Sequence, residues 1–377
     1  MADITTPRLL LAAQPVLAKK ILNAIEDDAL VFSVLKPSLT GEGQDFSQGG
    51  YEYRFNINKD PVFQVHAVRE RSAVFTPTST GTLYQATVGP ATLAIVGQLD
   101  HLEIHRMSGG ASGRTKEQTI AELVKPSNQY LGKELDQHVL MGQLSDRKVA
   151  GAADTYKDIV CLSPEYTTGV ATGMANGIMD LNAPASQTKT RHSLASNYGL
   201  RWFTGYYQIG SFSGGVGPQI HRNAVADSKR FAKDQVDMAM IQDQASYRMF
   251  ENYVESRVTF PTMVQVMTEG MPKAPPVKAR HESLMYRGNP YYVSYNIDCS
   301  LFSDATLKTG VTYGLNKKSW NGKLPTAEDL IKALGDWKDD MSFGPQKSAT
   351  MSCAGLAHFG LWCEDLASNF IISGGGR

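Results

Sequence analysis

Cysteine is scarce in this sequence. Cys161, Cys299, Cys353 and Cys363 are the four in 377 residues, and no two form a Cys-x-x-Cys pair. Disulfide frameworks serve small chains that cannot bury a core, and structural zinc needs closely spaced thiolates or imidazoles. Both are excluded, and the four are expected as buried thiols of a protein made in a reducing cytosol. Long apolar runs are missing too: no segment approaches the roughly 18 apolar residues that a spanning helix requires. Leu9-Leu10-Leu11-Ala12-Ala13 is cut short by Gln14 and Pro15, and Asp3 stands where a secretory leader carries positive charge. Neither leader nor membrane anchor is expected. Net charge is absent as well, with 37 Lys plus Arg against 37 Asp plus Glu. No basic surplus drives sequence-independent binding to nucleic acid.

Catalytic signatures are also lacking. There is no Gly-x-Ser-x-Gly nucleophile elbow. His101-Leu-Glu-Ile-His105 comes nearest to a metal cluster, but its Glu stands third rather than second, so it is no zincin helix. On a strand, His101, Glu103 and His105 share one face, which reads as the outward polar face of a half-exposed strand. Ser108-Gly-Gly-Ala-Ser-Gly-Arg-Thr115 fails as a phosphate loop at Ser108 and Arg114. Ser211-Phe-Ser-Gly-Gly-Val-Gly217 carries glycines without a strand–turn–helix context and reads as a loop. Asp339-Asp340 reads as decoration of a helix end. No catalytic, cofactor-binding or metal residue is assigned, no cofactor is implied, and the chain is expected not to be an enzyme.

What is present is patterned for architecture. Thr115-Lys-Glu-Gln118 is a capping box. From it Ile120, Leu123, Leu131, Leu135 and Val139 follow one helical face toward Gln143. Pro126 predicts a kink or a break. A continuous helix of that length would span roughly 43 Å, long for a globular domain and suited to a spine.

Ahead of it, residues 1 to 36 read as an arm with one short helix on Leu17, Ile21 and Ile25, followed by a Gly/Ser/Gln-rich link. Tyr51, Tyr53, Phe55 and Ile57 alternate with polar residues, a half-buried strand. Leu83–Val88 and Thr92–Ile104 continue a strand-rich excursion with too few large aliphatics to fold alone. Residues 150 to 220 are loop-rich and the least patterned. Beyond them the sequence predicts a helix capped by Asn223 and running to Lys233. A buried strand over Val236–Ile241 and a helix over Tyr247–Val258 follow. Next come a hairpin about Arg287-Gly-Asn-Pro290, a strand at Val311–Asn316 with another at Trp320, a helix over Thr326–Trp337, and a strand-rich close over Ala349–Ile372.

The order of these pieces carries a resemblance. The spine ending Lys133-Glu-Leu-Asp-Gln-His-Val-Leu140, the Val-Asp-Met-Ala-Met-Ile241 strand and the helix opening Tyr247-Arg-Met-Phe come in sequence. After them stand Leu284-Met-Tyr-Arg-Gly-Asn-Pro-Tyr-Tyr-Val-Ser294, Val311-Thr-Tyr-Gly-Leu-Asn316 and the closing Leu361-Trp-Cys-Glu-Asp-Leu-Ala-Ser-Asn369. Together they resemble the tailed-bacteriophage major capsid proteins of the Hong Kong 97 fold. The likeness is in order and style of segments, and it does not reach 150–220, where an insertion or a divergent domain is expected.

The resemblance implies an α+β fold. It divides into an N-terminal arm (1–36), an extended β-loop with flanking strands (37–108) and the spine helix of a peripheral domain (109–145). An axial domain with a loop-rich insertion (146–345) and closing strands of the peripheral domain (346–377) complete it. It implies homo-pentamers and homo-hexamers that form an icosahedral shell around double-stranded DNA, assembled in the host cytoplasm. The implied partners are a separate scaffolding protein, a portal and a decoration protein, with non-specific contact to packaged DNA and no membrane. Because arm and loop begin almost at once, no large N-terminal cleavage is expected. Lys59, the only Lys between residues 37 and 115, is the position at which an extended-loop cross-link would form; its plainer reading is a solvated turn lysine. The rival readings are an encapsulin-type compartment, a tube or sheath subunit, and a metal-dependent enzyme using His101, Glu103 and His105.

Overall fold

In a computed structural model of the chain, the described residues are 53–58, 83–88, 91–100, 178–181, 190–191, 194–195, 198–212, 216–233, 235–257, 283–302, 305–323, 338–341 and 349–376, with residues 30–31, 34–35, 133, 136–137, 139–141 and 162. The strands in chain order are β1 (Tyr53–Asn58), β2 (Leu83–Val88), β3 (Ala91–Asp100), β4 (Ile178–Asp180), β5 (Thr190–Arg191), β6 (Leu194–Ala195), β7 (Thr204–Gln208), β8 (Met238–Gln242), β9 (Ser283–Tyr286), β10 (Asn289–Val293), β11 (Val311–Asn316), β12 (Trp320–Lys323), β13 (Lys338–Met341), β14 (Ala349–Cys363) and β15 (Phe370–Ser373). The described residues also include the helices α1 (Val216–Phe231) and α2 (Gln244–Arg257).

Seven strands form a mixed sheet in the order β4-β7-β15-β11-β8-β10-β9. β8 and β11, near its middle, are buried at every residue. A strand covered on both faces loses the apolar/polar alternation of a half-exposed one, which is why Met-Ala-Met-Ile reads as a continuous run. The pleat still sorts the side chains: Ala239 and Ile241 enter one core cluster with Trp202, Tyr313, Trp320 and Trp362. Met238 and Met240 enter the other with Phe250, Tyr291 and Phe370. α1 lies against β7 and β15, and α2 against β10.

Two glycines are required locally. β9 and β10 are joined by Arg287 (φ 52°) and Gly288 (φ 80°), with Tyr286 opposite Asn289. Two left-handed residues in succession make the tight turn whose twist matches the hairpin. In β11, a Cβ on Gly314 would overlap the ring of Phe370, so the ring packs on bare backbone.

A second sheet is built on the 15 residues of β14. β3 pairs with it antiparallel from Ala91↔Phe359 to Asp100↔Thr350. β13 pairs with its start, and β12 with its end. At about 3.3 Å per residue, β14 is roughly 50 Å long. The chain then turns over 366–368 and enters the first sheet as β15, between β7 and β11. The closing segment 346–377, read from the sequence as one return to a peripheral domain, thus divides between two sheets.

β1 and β2 form a separate antiparallel ribbon with six residue pairs, Tyr53↔Val88 to Asn58↔Leu83. Ile57 and Ala86 are buried at 1% and 0%, while Asn56 and Gln85 are exposed.

Several boundaries differ from the sequence expectation. α1 starts at Val216, well before Asn223, because Pro218 sits in the first turn, where its missing N–H has no helical partner to lose. Asp339-Asp340 lies in β13, opposite Met351 and Thr350, so backbone pairing with the long strand prevails over the local helical reading. The tract 150–220 is not all loop: β7 takes an interior place in the main sheet, and Trp202 and Phe203 are buried beside it. The helix expected over 326–337 lies outside the described residues.

Candidate functional site

Two junctions of buried polar side chains tie distant parts of the described chain together. The first centres on Asp136, fully buried in the helical segment that holds Val139, Leu140 and Met141. Its Oδ1 accepts from the backbone N–H of Val31 at 2.8 Å. Its Oδ2 accepts from Asn296 Nδ2 at 3.0 Å and from Ser294 Oγ at 3.3 Å. One carboxylate therefore ties an N-terminal segment, the helix and the end of β10, across separations of 105 to 160 residues. Burial pushes its pKa up to about 6, while the donors from Asn296, Val31, Ser294 and Leu30 pull the other way.

Further hydrogen bonds among the described residues fasten the helix. Tyr313 Oη donates to the Leu140 carbonyl at 2.6 Å. Gln137 Nε2 donates to the Asn296 carbonyl at 3.0 Å, and the Leu162 N–H to the Val139 carbonyl at 2.7 Å. Leu30, Val31, Val34 and Leu35 join the same core cluster. The N-terminal segment is thus held by apolar packing and by a buried, hydrogen-bonded charge, whose lone removal would leave donors unsatisfied.

The second junction is Asn369, where the chain passes from β14 to β15. Its Oδ1 accepts from the Asn316 N–H at 2.8 Å and from Trp320 Nε1 at 2.9 Å. Its Nδ2 donates to the Asp365 carbonyl at 2.9 Å and to Ser319 Oγ at 3.0 Å. One amide satisfies groups on both sheets and fixes how they meet. Cys363 is buried next to it, and the half-buried Cys299 thiol is pushed upward by burial and by Asp243, so it stays protonated.

His101, Glu103 and His105 lie just past the end of β3 and outside the described residues, as do Lys59 and the stretch 108–115. Among the described residues no group of three metal-ligating side chains forms. The glycine stretch 211–217 does run from strand to helix, from β7 to α1, contrary to the sequence reading. Its glycine serves packing: a Cβ on Gly217 would strike the Phe212 ring. Neither Asp136 nor Asn369 was singled out by sequence. The one available signal was a charged residue beside the apolar stripe of a helix, and it names no partner.

No protein-family model matches the chain, and no curated protein does. Solved structures do match. A chain of Mycobacterium phage Ogopogo is 11% identical, with 90% of this chain and 91% of that one covered at a TM-score of 0.51. A chain of the cyanophage A-1(L) capsid asymmetric unit is 11% identical, with 93% of each chain covered at a TM-score of 0.51. At that identity the likeness is one of fold. The chain has the Hong Kong 97-like capsid fold, with α+β content.

Proposed function

We propose that this chain is a major capsid protein of a tailed bacteriophage. It self-assembles into pentamers and hexamers that form the icosahedral head shell around double-stranded DNA. The observation that carries the reading is the near end-to-end match of fold, 93% of both lengths, with a chain of a cyanophage capsid asymmetric unit. A fold alone does not fix function. The β1–β2 ribbon supports the reading independently, because among the described residues it pairs only with itself, and an unpaired strand edge is a place where a second chain can add.

In this proposal residues 1–36 are the arm, 37–108 the extended loop, 109–145 the spine and 146–345 the axial domain. β14 belongs to the peripheral domain and β15 to the axial sheet. Asp136 holds the base of the arm against the spine, and Asn369 sets the angle between peripheral and axial parts. Heterologous contacts that close after five or six copies build the shell. A scaffolding protein, a portal and a decoration protein are the expected partners, the packaged DNA is touched without sequence preference, and the protein resides in the virion.

The test is electron microscopy of the full chain expressed alone and with a neighbouring scaffold gene. Closed shells or capsomer rings are expected. Removal of residues 59–82, with β1 joined to β2 by a short turn, should leave a folded subunit that forms no shells. Monodisperse monomers under both expression conditions would overturn the proposal.

A further inference from the structure

A pocket of about 240 Å³ opens between α1 and the β9–β10 hairpin, lined by His221, Arg222, Val225, Ala226, Lys229, Tyr286, Arg287, Asn289 and Tyr291. The α1 residues recur at helical spacing and so share one face. The pocket's aromatic lining is Tyr286, Tyr291 and His221, backed by the fully buried Phe250, which stacks on Tyr291 at 4.6 Å and lies 5.0 Å from the His221 ring. His221 is 1% exposed, and neither ring nitrogen has a hydrogen-bond partner among the described residues. Burial pulls its pKa down to about 3, so the ring is neutral and adds no charge. The rim is different. Arg222, Lys229 and Arg287 are exposed, no carboxylate lines the pocket, and among the described residues none pairs with these three cations. The Arg287 guanidinium rests over the Tyr286 ring at 5.6 Å, which pre-orients it at the mouth.

We propose that this pocket is a docking site for an acidic peptide segment of a partner protein, which seats an apolar side chain on the aromatic floor and a neighbouring carboxylate among the three cations. Charge complementarity selects the occupant. In a chain with 37 charges of each sign, three cations around one concavity without an acid are a local excess. The carbon-rich walls select against a nucleic-acid backbone, whose phosphates gain nothing from an apolar cleft. Arginine supplies planar two-point recognition of a carboxylate. The inference rests on the pocket alone and stands apart from the shell reading.

The experiment titrates the full-length chain with fluorescein-labelled Leu-Glu-Leu-Glu-Leu peptide and follows anisotropy. The Leu-Gln-Leu-Gln-Leu peptide and a 12-base-pair DNA duplex are the comparison probes. The acidic peptide should bind about tenfold or more tighter than the Gln peptide and weaken with added salt. The double variant Lys229→Gln, Arg287→Asn should lose that preference, while Lys308→Gln, exposed elsewhere, keeps it. Asn at 287 removes the charge yet tolerates the left-handed backbone there. Thermal melts check that the double variant folds, and Arg222→Gln gives the same comparison should it not. Equal binding of both peptides would overturn the proposal, as would an unchanged preference in the variants. So would a duplex that binds the wild type as well as the acidic peptide and is lost in the variants.

Discussion

The seven-stranded sheet and the β1–β2 ribbon are both β-structure but rest on different supports. In the sheet, β8 and β11 are buried at every position and have hydrogen-bonded neighbours on both edges. In the ribbon, each strand has one partner among the described residues, and across the pair Asn56 and Gln85 face solvent while Ile57 and Ala86 face inward. The middle of the sheet is enclosed by this chain's own strands. Ile57 and Ala86 join the chain's own core, and among the described residues no further strand pairs with the ribbon's outer edges, an arrangement that invites a second chain. Damage to the sheet should therefore unfold the subunit, whereas damage to the ribbon should spare the fold and stop assembly.

The largest effect is expected where α2 packs on the sheet. Phe250 is fully buried and contacts Phe212, Tyr286 and Tyr291. Phe250→Ala should cost about 3–5 kcal/mol in chemical denaturation of the subunit. A loss below about 1 kcal/mol would mean that this face of the sheet is not the core it appears as in the packing.

Next comes the Asp136 junction. The folded pKa of about 6 lies above the ordinary 3.8. The raised value favours the protonated fold, so the stabilisation it brings is complete below pH 3.8 and lost as pH rises through 6. Relative to Asp136→Asn, the wild type should become less stable by about 3 kcal/mol between pH 3.5 and pH 7.5, from roughly two pKa units at 1.36 kcal/mol each. Denaturation of both proteins at the two pH values reads the difference. A gap that does not change with pH would show that the carboxyl titrates at an ordinary value.

A smaller loss is expected from Val139→Ala on the helix, about 1–3 kcal/mol for the methyls removed from a fully buried site. The smallest effect on stability, and the sharpest test of the comparison, is on the ribbon. Asn56→Asp with Gln85→Glu places like charges directly opposite one another. The subunit should lose about 0.2–1 kcal/mol, yet shell yield in electron micrographs should fall several-fold. Normal shells from that variant would remove the ribbon from the assembly contacts.

Much of the fold was readable because its signals are local. The buried run ending at Ile241, the alternation at Tyr53–Ile57 and the Arg287-Gly288 turn need only their own neighbours in sequence, and each came out close to its place. Asn223 misled because a good capping residue also tolerates a helix interior once tertiary packing holds the helix. Asp339-Asp340 misled because a short segment takes the structure of the long strand beside it. The weakly patterned tract before residue 220 hid β7, whose five residues owe their place to β4 and β15 on either side.

The sequence by itself determined the balanced charge and ordinary globular composition, the amphipathic and alternating segments, their order along the chain, and so the likeness to a capsid fold. Periodicity and turn chemistry act over a few residues, and a linear pattern records them. The tertiary structure alone decided that β15 leaves the sheet of β14 for another, that Asp136 joins residues 105 to 160 positions away, and that three cations with no acid meet over an aromatic floor. These depend on which distant segments share a boundary. Long-range pairing is set by the whole core closing at once, and no local stretch of sequence carries that information.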